Sequence, residues 1–187
     1  MAGRRGTVGR VDRIEIERTL SETRAWLLET YAALPESDLH RPATASEHDP
    51  ENWWTPLDHL AHLALIERNF VAMVRRHVAG DANPVGLAND AGGRTRTRAE
   101  VMAYVHNLTE EWQREHAGKT LSEVAALTAA ARAETLRLLS ELSDEQLADT
   151  LPGAPWADGT VGGVLAANAN HGRTHYQWAR AGLDAPR

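Results

Sequence analysis

The chain has 187 residues, 42% of them hydrophobic and 25% charged, which is the size and balance of one ordinary globular domain. A formal net charge of −6, with no basic cluster beyond the N-terminal stretch, argues against nucleic acid as a main partner. No apolar run approaches the roughly 18 residues that cross a bilayer. Arg4, Arg5, Arg10 and Arg13 are followed by no apolar stretch of signal-peptide type, so no membrane partner and a cytoplasmic location are expected. Cysteine is missing, which removes disulfides, thiolate ligands and a protein thiol nucleophile together. Thiol chemistry would therefore require a small-molecule thiol.

Residues 1–12 are rich in Gly and Arg, lack periodicity and are expected to form a tail ahead of one domain over 13–183. From Ile14 to about Leu34, the apolar positions Ile16, Leu20, Leu27 and Tyr31 recur at helical spacing, and Pro35 ends the run. Residues 35–53 read as a polar connection. Thr55 then offers an N-cap, with Pro56 at the first helical position, and opens a second helix that runs to about Val78. Residues 81–96 have loop composition. Thr97…Glu100 and Thr120…Glu123 match the capping box, in which the cap hydroxyl and the third-position carboxylate satisfy orphan amides reciprocally. They predict helices over about 98–115 and 121–142. Ser143…Gln146 predicts a further short turn, 149–159 a loop, and Thr160 the start of a last helix ending near Gly182 as a left-handed cap.

No alternating strand pattern stands between turn signals. Five substantial helices joined by loops predict an all-α, up-and-down bundle with one extra helix. Leu34-Pro-Glu-Ser-Asp-Leu39 echoes Leu142-Ser-Asp-Glu-Gln-Leu147; each precedes a Pro-containing loop, a tryptophan, a threonine cap and a histidine-bearing helix.

On the last helix Val161, Val164, Ala167 and Trp178 define the apolar stripe, and His171 and His175 fall near its middle, one turn apart. Two neighbouring inward imidazoles need partners, and a metal ion serves both while leaving each second ring nitrogen for another acceptor. The alternative is that each ring bonds a nearby side chain or carbonyl. On the second helix His59 lies within the buried face and His62 at its edge, and either could meet the pair. Glu67 sits on the same stripe, where it pairs with an inward arginine or serves the site as an acceptor or proton-transfer group. Three neutral imidazoles leave a coordination position open, as in catalytic zinc sites, though imidazole also suits nickel, iron and copper. His40, His48, His77, His106 and His116 read as solvated. Trp53, Trp54 and Trp156 lie in loops leading into the histidine helices, and these loops are expected to line the mouth of the pocket.

Trp54-Thr-Pro-Leu-Asp-His-Leu-Ala-His62, then Glu67, then His171-x-x-x-His175, resembles the DinB/YfiT-like superfamily. In that superfamily a histidine eight residues after the tryptophan joins a His-x-x-x-His on the last helix to bind metal. The resemblance therefore implies His62, His171 and His175 as ligands, with His59 in reserve. It also implies a four-helix bundle, here with the 98–115 helix inserted between the second and third bundle helices, often a homodimer, holding a divalent ion such as zinc or nickel. Some members are thiol-dependent enzymes using bacillithiol, mycothiol or glutathione. The maleylpyruvate isomerase branch carries glutamate at the position of His171, so the pattern here is closer to the YfiT and DinB side. The expected activity is metal-assisted attack of a small-molecule thiol, or water, on an electrophile, with Glu67 as the candidate proton-transfer residue. The rival expectation is a non-catalytic, stress-associated metal-binding bundle.

Overall fold

The computed structural model describes residues 12–46, 49–90 and 92–186. The expected tail thus lies outside the described residues except for Asp12, and so does His48. Asp12 accepts a hydrogen bond from the amide of Ile14 and caps α1 (Arg13–Ala32), which buries Ile16, Leu20, Leu27 and Tyr31. A single turn, α2 (Glu36–Leu39), follows. Two-residue strands β1 (Thr44–Ala45) and β2 (Trp53–Trp54) then pair antiparallel, with Thr44 opposite Trp54. The long helices α3 (Pro56–Val78), α4 (Arg98–His116) and α5 (Leu121–Glu141) each begin at a complete capping box. After the short α6 (Asp144–Ala148), Thr160 caps α7 (Val161–Asp184).

Helix α3 packs along α5, α7 and α4, while α1 packs against α7 and α5. Ile16, Leu20, Val74, Leu139, Val161 and Val164 fill one end of the shared core; Leu27, Tyr31, Leu39, Leu57, Leu60 and Val124 fill the other. The first turns of α3, Pro56 to Ala64, are buried on every side. A helix enclosed all round should be apolar all round, yet this stretch holds Asp58, His59 and His62. Asp58 is consumed by the capping box with Thr55. The two histidines must find partners elsewhere. Among the described residues, no helix is long and apolar enough to cross a membrane.

Three expectations are corrected. The polar connection 35–53 is partly ordered, by α2 and by the β1–β2 pair. Strands this short leave no periodicity to read, because their stability comes from closing the neck of a loop. Gly182 does not end the last helix, which continues to Asp184 and stops at an extended Ala185. The glycine is required for another reason: a Cβ there would collide with the backbone carbonyl of Ala43, just before β1. Trp178 is not a core residue either, being 50% exposed. The echo between 34–39 and 142–147 has a structural counterpart. Each forms a short helix with a buried leucine, Leu39 or Leu147, and each following loop is closed by an antiparallel pairing, Thr44 with Trp54 and Thr150 with Thr160.

Candidate metal centre

Antiparallel packing of α3 on α7 brings His62 opposite His171 and His175, and one nitrogen from each of the three rings lies within 4.8 Å of the others. His62 and His175 are 6% and 5% exposed, and His171 is half-buried. The Nε2 atoms of His171 and His175 are 3.1 Å apart. Two nitrogens ligating one tetrahedral ion at 2.0–2.1 Å stand about 3.3 Å apart, so helical spacing alone nearly sets a chelating geometry. The ring of His62 lies 4.8 Å from that of His175 and 5.8 Å from that of His171, centroid to centroid.

His59 has a different place. Its Nδ1 is 2.9 Å from Nδ1 of His175, and its Nε2 is 2.7 Å from the hydroxyl of Thr44 on β1. A neutral imidazole has one N–H and one bare nitrogen, and of the two assignments that satisfy this chain one leaves a nitrogen of His175 bare toward the cluster. In that assignment His59 donates from Nε2 to Thr44 and accepts at Nδ1 from His175 Nδ1–H. The bare Nε2 of His175 is then directed at the cluster. His59 thus orients a ring that faces the site, the arrangement metal-ligating histidines commonly show. Periodicity alone could not separate His59 from His62; the distances do. Gly182 belongs to the same construction, since it lets the chain at Ala43 press against α7 and so positions Thr44.

Burial holds all four rings neutral. It lowers the pKa of His59 to about 4, and with the neighbouring rings it lowers that of His62 to about 3. His171 is lowered by burial, and His175 far below the usual range by burial together with His62, His171 and His59. The neutral ring is the form that binds a metal. Nδ1 of His62 is buried without a hydrogen-bond partner among the described residues, an orphan that a ligand would explain. A set of three imidazoles, one with an orphaned nitrogen, fits a divalent transition metal.

The cluster opens on a cavity of about 1220 Å³ bounded by α3, α4, α7 and the loops before α3 and α7. Trp54 and Trp156 line it as expected from their loops, whereas Trp53 does not. Trp54 also flanks His59 and His62, with ring centroids 5.3 and 5.4 Å away, and the exposed Trp178 borders His175 at 4.9 Å. Sequence reasoning missed the wall formed by α4 through Tyr104, Val105, His106 and Glu110, and by the loop around Val85 and Leu87. The exposed apolar residues on α4, Tyr104 and Leu108, were the available signal. His106 lines this cavity rather than bulk solvent. His116 stacks on Trp112 at 3.9 Å, and His40 and His77 lie 3.4 Å from Glu36 and 3.9 Å from Asp149.

Glu67 does not join the histidines. It is 4% exposed and pairs with Arg132 of α5, while its second oxygen accepts from Asn168 Nδ2 at 3.2 Å. Arg132 in turn donates to the carbonyl of Leu20. This is the inward arginine that the sequence left open. Asn170, one turn from Thr174, faces the cavity.

A family model described as the DinB superfamily matches residues 20–179, and the chain belongs to that superfamily. The chain is similar in fold to the crystal structure of an uncharacterised protein from Escherichia coli UTI89, with a TM-score of 0.58 and 15% identity over 94% of each chain. No curated protein matches it.

Proposed function

We propose that this DinB-superfamily protein is a metal-dependent enzyme in which His62, His171 and His175 hold one divalent transition metal, zinc or nickel in the first instance. In this reading α1, α3, α5 and α7 form a four-helix up-and-down bundle and α4 is an inserted helix that walls the substrate cavity. The convergence of three neutral imidazole nitrogens within 4.8 Å at the wall of a large cavity carries the proposal. A structural ion needs a closed site; three protein ligands facing open space leave room for a substrate atom. The bound ion would supply Lewis acidity, lowering the pKa of a coordinating thiol or water.

The chain's own residues supply orientation and exclusion. Thr44 and His59 fix the tautomer and plane of His175, and the Trp54 and Trp178 rings restrict access beside it. Without cysteine, the nucleophile comes from a small-molecule thiol or from water. Glu67, fully engaged by Arg132 and Asn168, is assigned a structural role in this reading and not proton transfer. The test is consumption of a small-molecule thiol in the presence of a model electrophile, by the zinc-loaded protein and by the same protein after chelation. Metal-dependent thiol loss, abolished by His175→Ala, supports the enzyme. Stoichiometric metal without thiol loss or hydrolysis across several thiols and electrophiles would favour the non-catalytic bundle.

A further inference from the structure

The histidine cluster occupies one end of the cavity, and the remainder is much larger than a thiol group and a small electrophile require. Pockets for drug-sized ligands span roughly 300–1,000 Å³, and this one reaches about 1220 Å³. Its axis follows α3. His62, Ile66, Asn69, Met73 and Arg76 recur at steps of three and four residues, so they form one stripe on that helix, and all five line the cavity. Leu65 and Phe70 flank the stripe, and Val85, Leu87 and Trp156 complete an apolar middle section from the facing loops. The stripe ends fourteen residues from His62, about 21 Å away at the helical rise.

At that far end stands Arg76, the one Arg or Lys among the described residues that lines the cavity. Arg76 is exposed, and its Nε donates to the carbonyl of Pro84 at 2.7 Å, which clips the loop to the helix and tethers the guanidinium at the cavity's rim. Among the described residues, neither a carboxylate nor a carbonyl accepts from its Nη1 or Nη2. Asp81, the acid at this end, accepts from the amide of Asn83 at 2.8 Å. Other arginines near this loop are engaged: Arg96 binds the carbonyls of Gly86, Leu87 and Asn89 and lies 4.5 Å over the ring of Tyr104. Arg94 pairs with Asp90 and Glu100. Arg76 therefore differs from its neighbours in offering guanidinium donors to a chamber whose middle is apolar and whose other charged lining residues, Asp81 and Glu110, are acidic. A guanidinium tethered in this way suits a carboxylate.

We propose that the cavity takes an elongated, largely apolar molecule whose reactive head lies at the histidine cluster and whose far end is a carboxylate read by Arg76. The assignment of head to cluster rests on the metal-dependent reading above; the assignment of body and tail rests on the lining alone. Asn69, half-buried on the stripe, adds a polar contact in mid-chamber.

Calorimetric titration of zinc-loaded protein with mercaptoundecanoic acid, undecanethiol and mercaptopropionic acid separates the three parts. The long acid should bind best, the long neutral thiol less well for want of a tail contact, and the short acid weakly for want of a body. Arg76→Gln should weaken the long acid about tenfold, the scale of one charge-assisted hydrogen bond, and leave undecanethiol and zinc content unchanged. Arg76→Lys should restore part of the loss. Chelated protein is titrated in parallel with dodecanoate and dodecylamine. There dodecanoate should bind more tightly than the amine and lose that advantage in Arg76→Gln. If the protein holds no zinc yet the dodecanoate arm behaves so, the metal reading fails and the cavity reading survives. Equal affinity of wild type and Arg76→Gln for the long acids, or a short acid binding as well as the long one, would overturn the proposal.

Discussion

Two polar clusters are buried against α3 little more than a turn apart, and they are finished in opposite ways. Around Glu67 the charge is answered within the protein: Arg132 supplies the countercharge and also donates to the carbonyl of Leu20, and Asn168 Nδ2 adds a second donor, although Asn168 Oδ1 is itself without a partner among the described residues. Around His62 the network has a direction instead. Thr44 and His59 satisfy the outer side of His175, while the inner nitrogens of His171 and His175 face each other and Nδ1 of His62 has no partner. Burial penalises both clusters, the Glu67–Arg132 ion pair more heavily than the neutral imidazoles. An ion pair answered within the protein is explained by the fold it stabilises. A network satisfied on its outside, with an unpartnered His62 nitrogen on its inside and a cavity beside it, is the kind that a bound group would complete.

The largest effect should come from breaking the ion pair. Arg132→Met leaves Glu67 buried and unpaired, and should destabilise the protein by about 3–5 kcal/mol in chemical denaturation. The double variant Glu67→Met with Arg132→Leu should recover most of that loss, because two apolar side chains replace the pair. Neither change should lower zinc affinity in the protein that remains folded.

The histidine cluster should respond in the reverse sense. His175→Ala should leave the metal-free protein folded and remove the stabilisation that zinc confers. At a hundredfold excess of zinc over its dissociation constant, that stabilisation is about 2.7 kcal/mol in wild type. Melting temperature with and without chelator measures it. A variant that still gains the full increment would erase the distinction between the clusters.

The outer side of His175 should matter less but measurably. His59→Phe keeps the ring volume and removes both hydrogen bonds, and should weaken zinc by about 10–100-fold in competition with a chelator, the usual range for a residue that orients a ligand. Thr44→Val should cost less, because His59 remains. If His59→Phe lost all metal while His62→Ala kept it, the roles of the two histidines would be exchanged.

The pH dependence of the metal-free protein probes the same cluster without the ion. Unfolded histidine titrates near 6.5, whereas burial holds native His59 near 4 and His62 near 3. Between those values the unfolded chain takes up protons that the native state refuses. Stability from this source is therefore complete above pH 6.5 and declines as the pH falls toward 4. His62→Phe should flatten the decline, which melting temperature against pH would reveal.

Much of this was legible in the sequence because caps and periodicity are local. Thr55-Pro56, Thr97, Thr120 and Thr160 announce helix starts through hydrogen bonds within three residues, and the structure begins its helices there. His171 and His175 share a face for the same local reason. What could not be read depends on distant contacts. Gly182 looks like a helix end and is a close approach to Ala43. His59 and His62 are three residues apart on one face, and only the position of α7 and β1 assigns them different neighbours. For Glu67 an inward arginine was one of two expectations beside proton transfer at the site, and nothing in the spacing selected Arg132. The helix expected over 98–115 is α4, Arg98–His116, while its place at the cavity wall required knowing where it packs.

Metal stoichiometry tests the central claim most directly, measured on purified wild type, His62→Ala, His171→Ala and His175→Ala after zinc loading and desalting, with His40→Ala and His116→Ala as controls. The expected result is one ion per chain in wild type and both controls, and substoichiometric metal in each of the three cluster variants. Full occupancy in His171→Ala and His175→Ala would contradict the account and put the ion, if one is bound, elsewhere in the molecule.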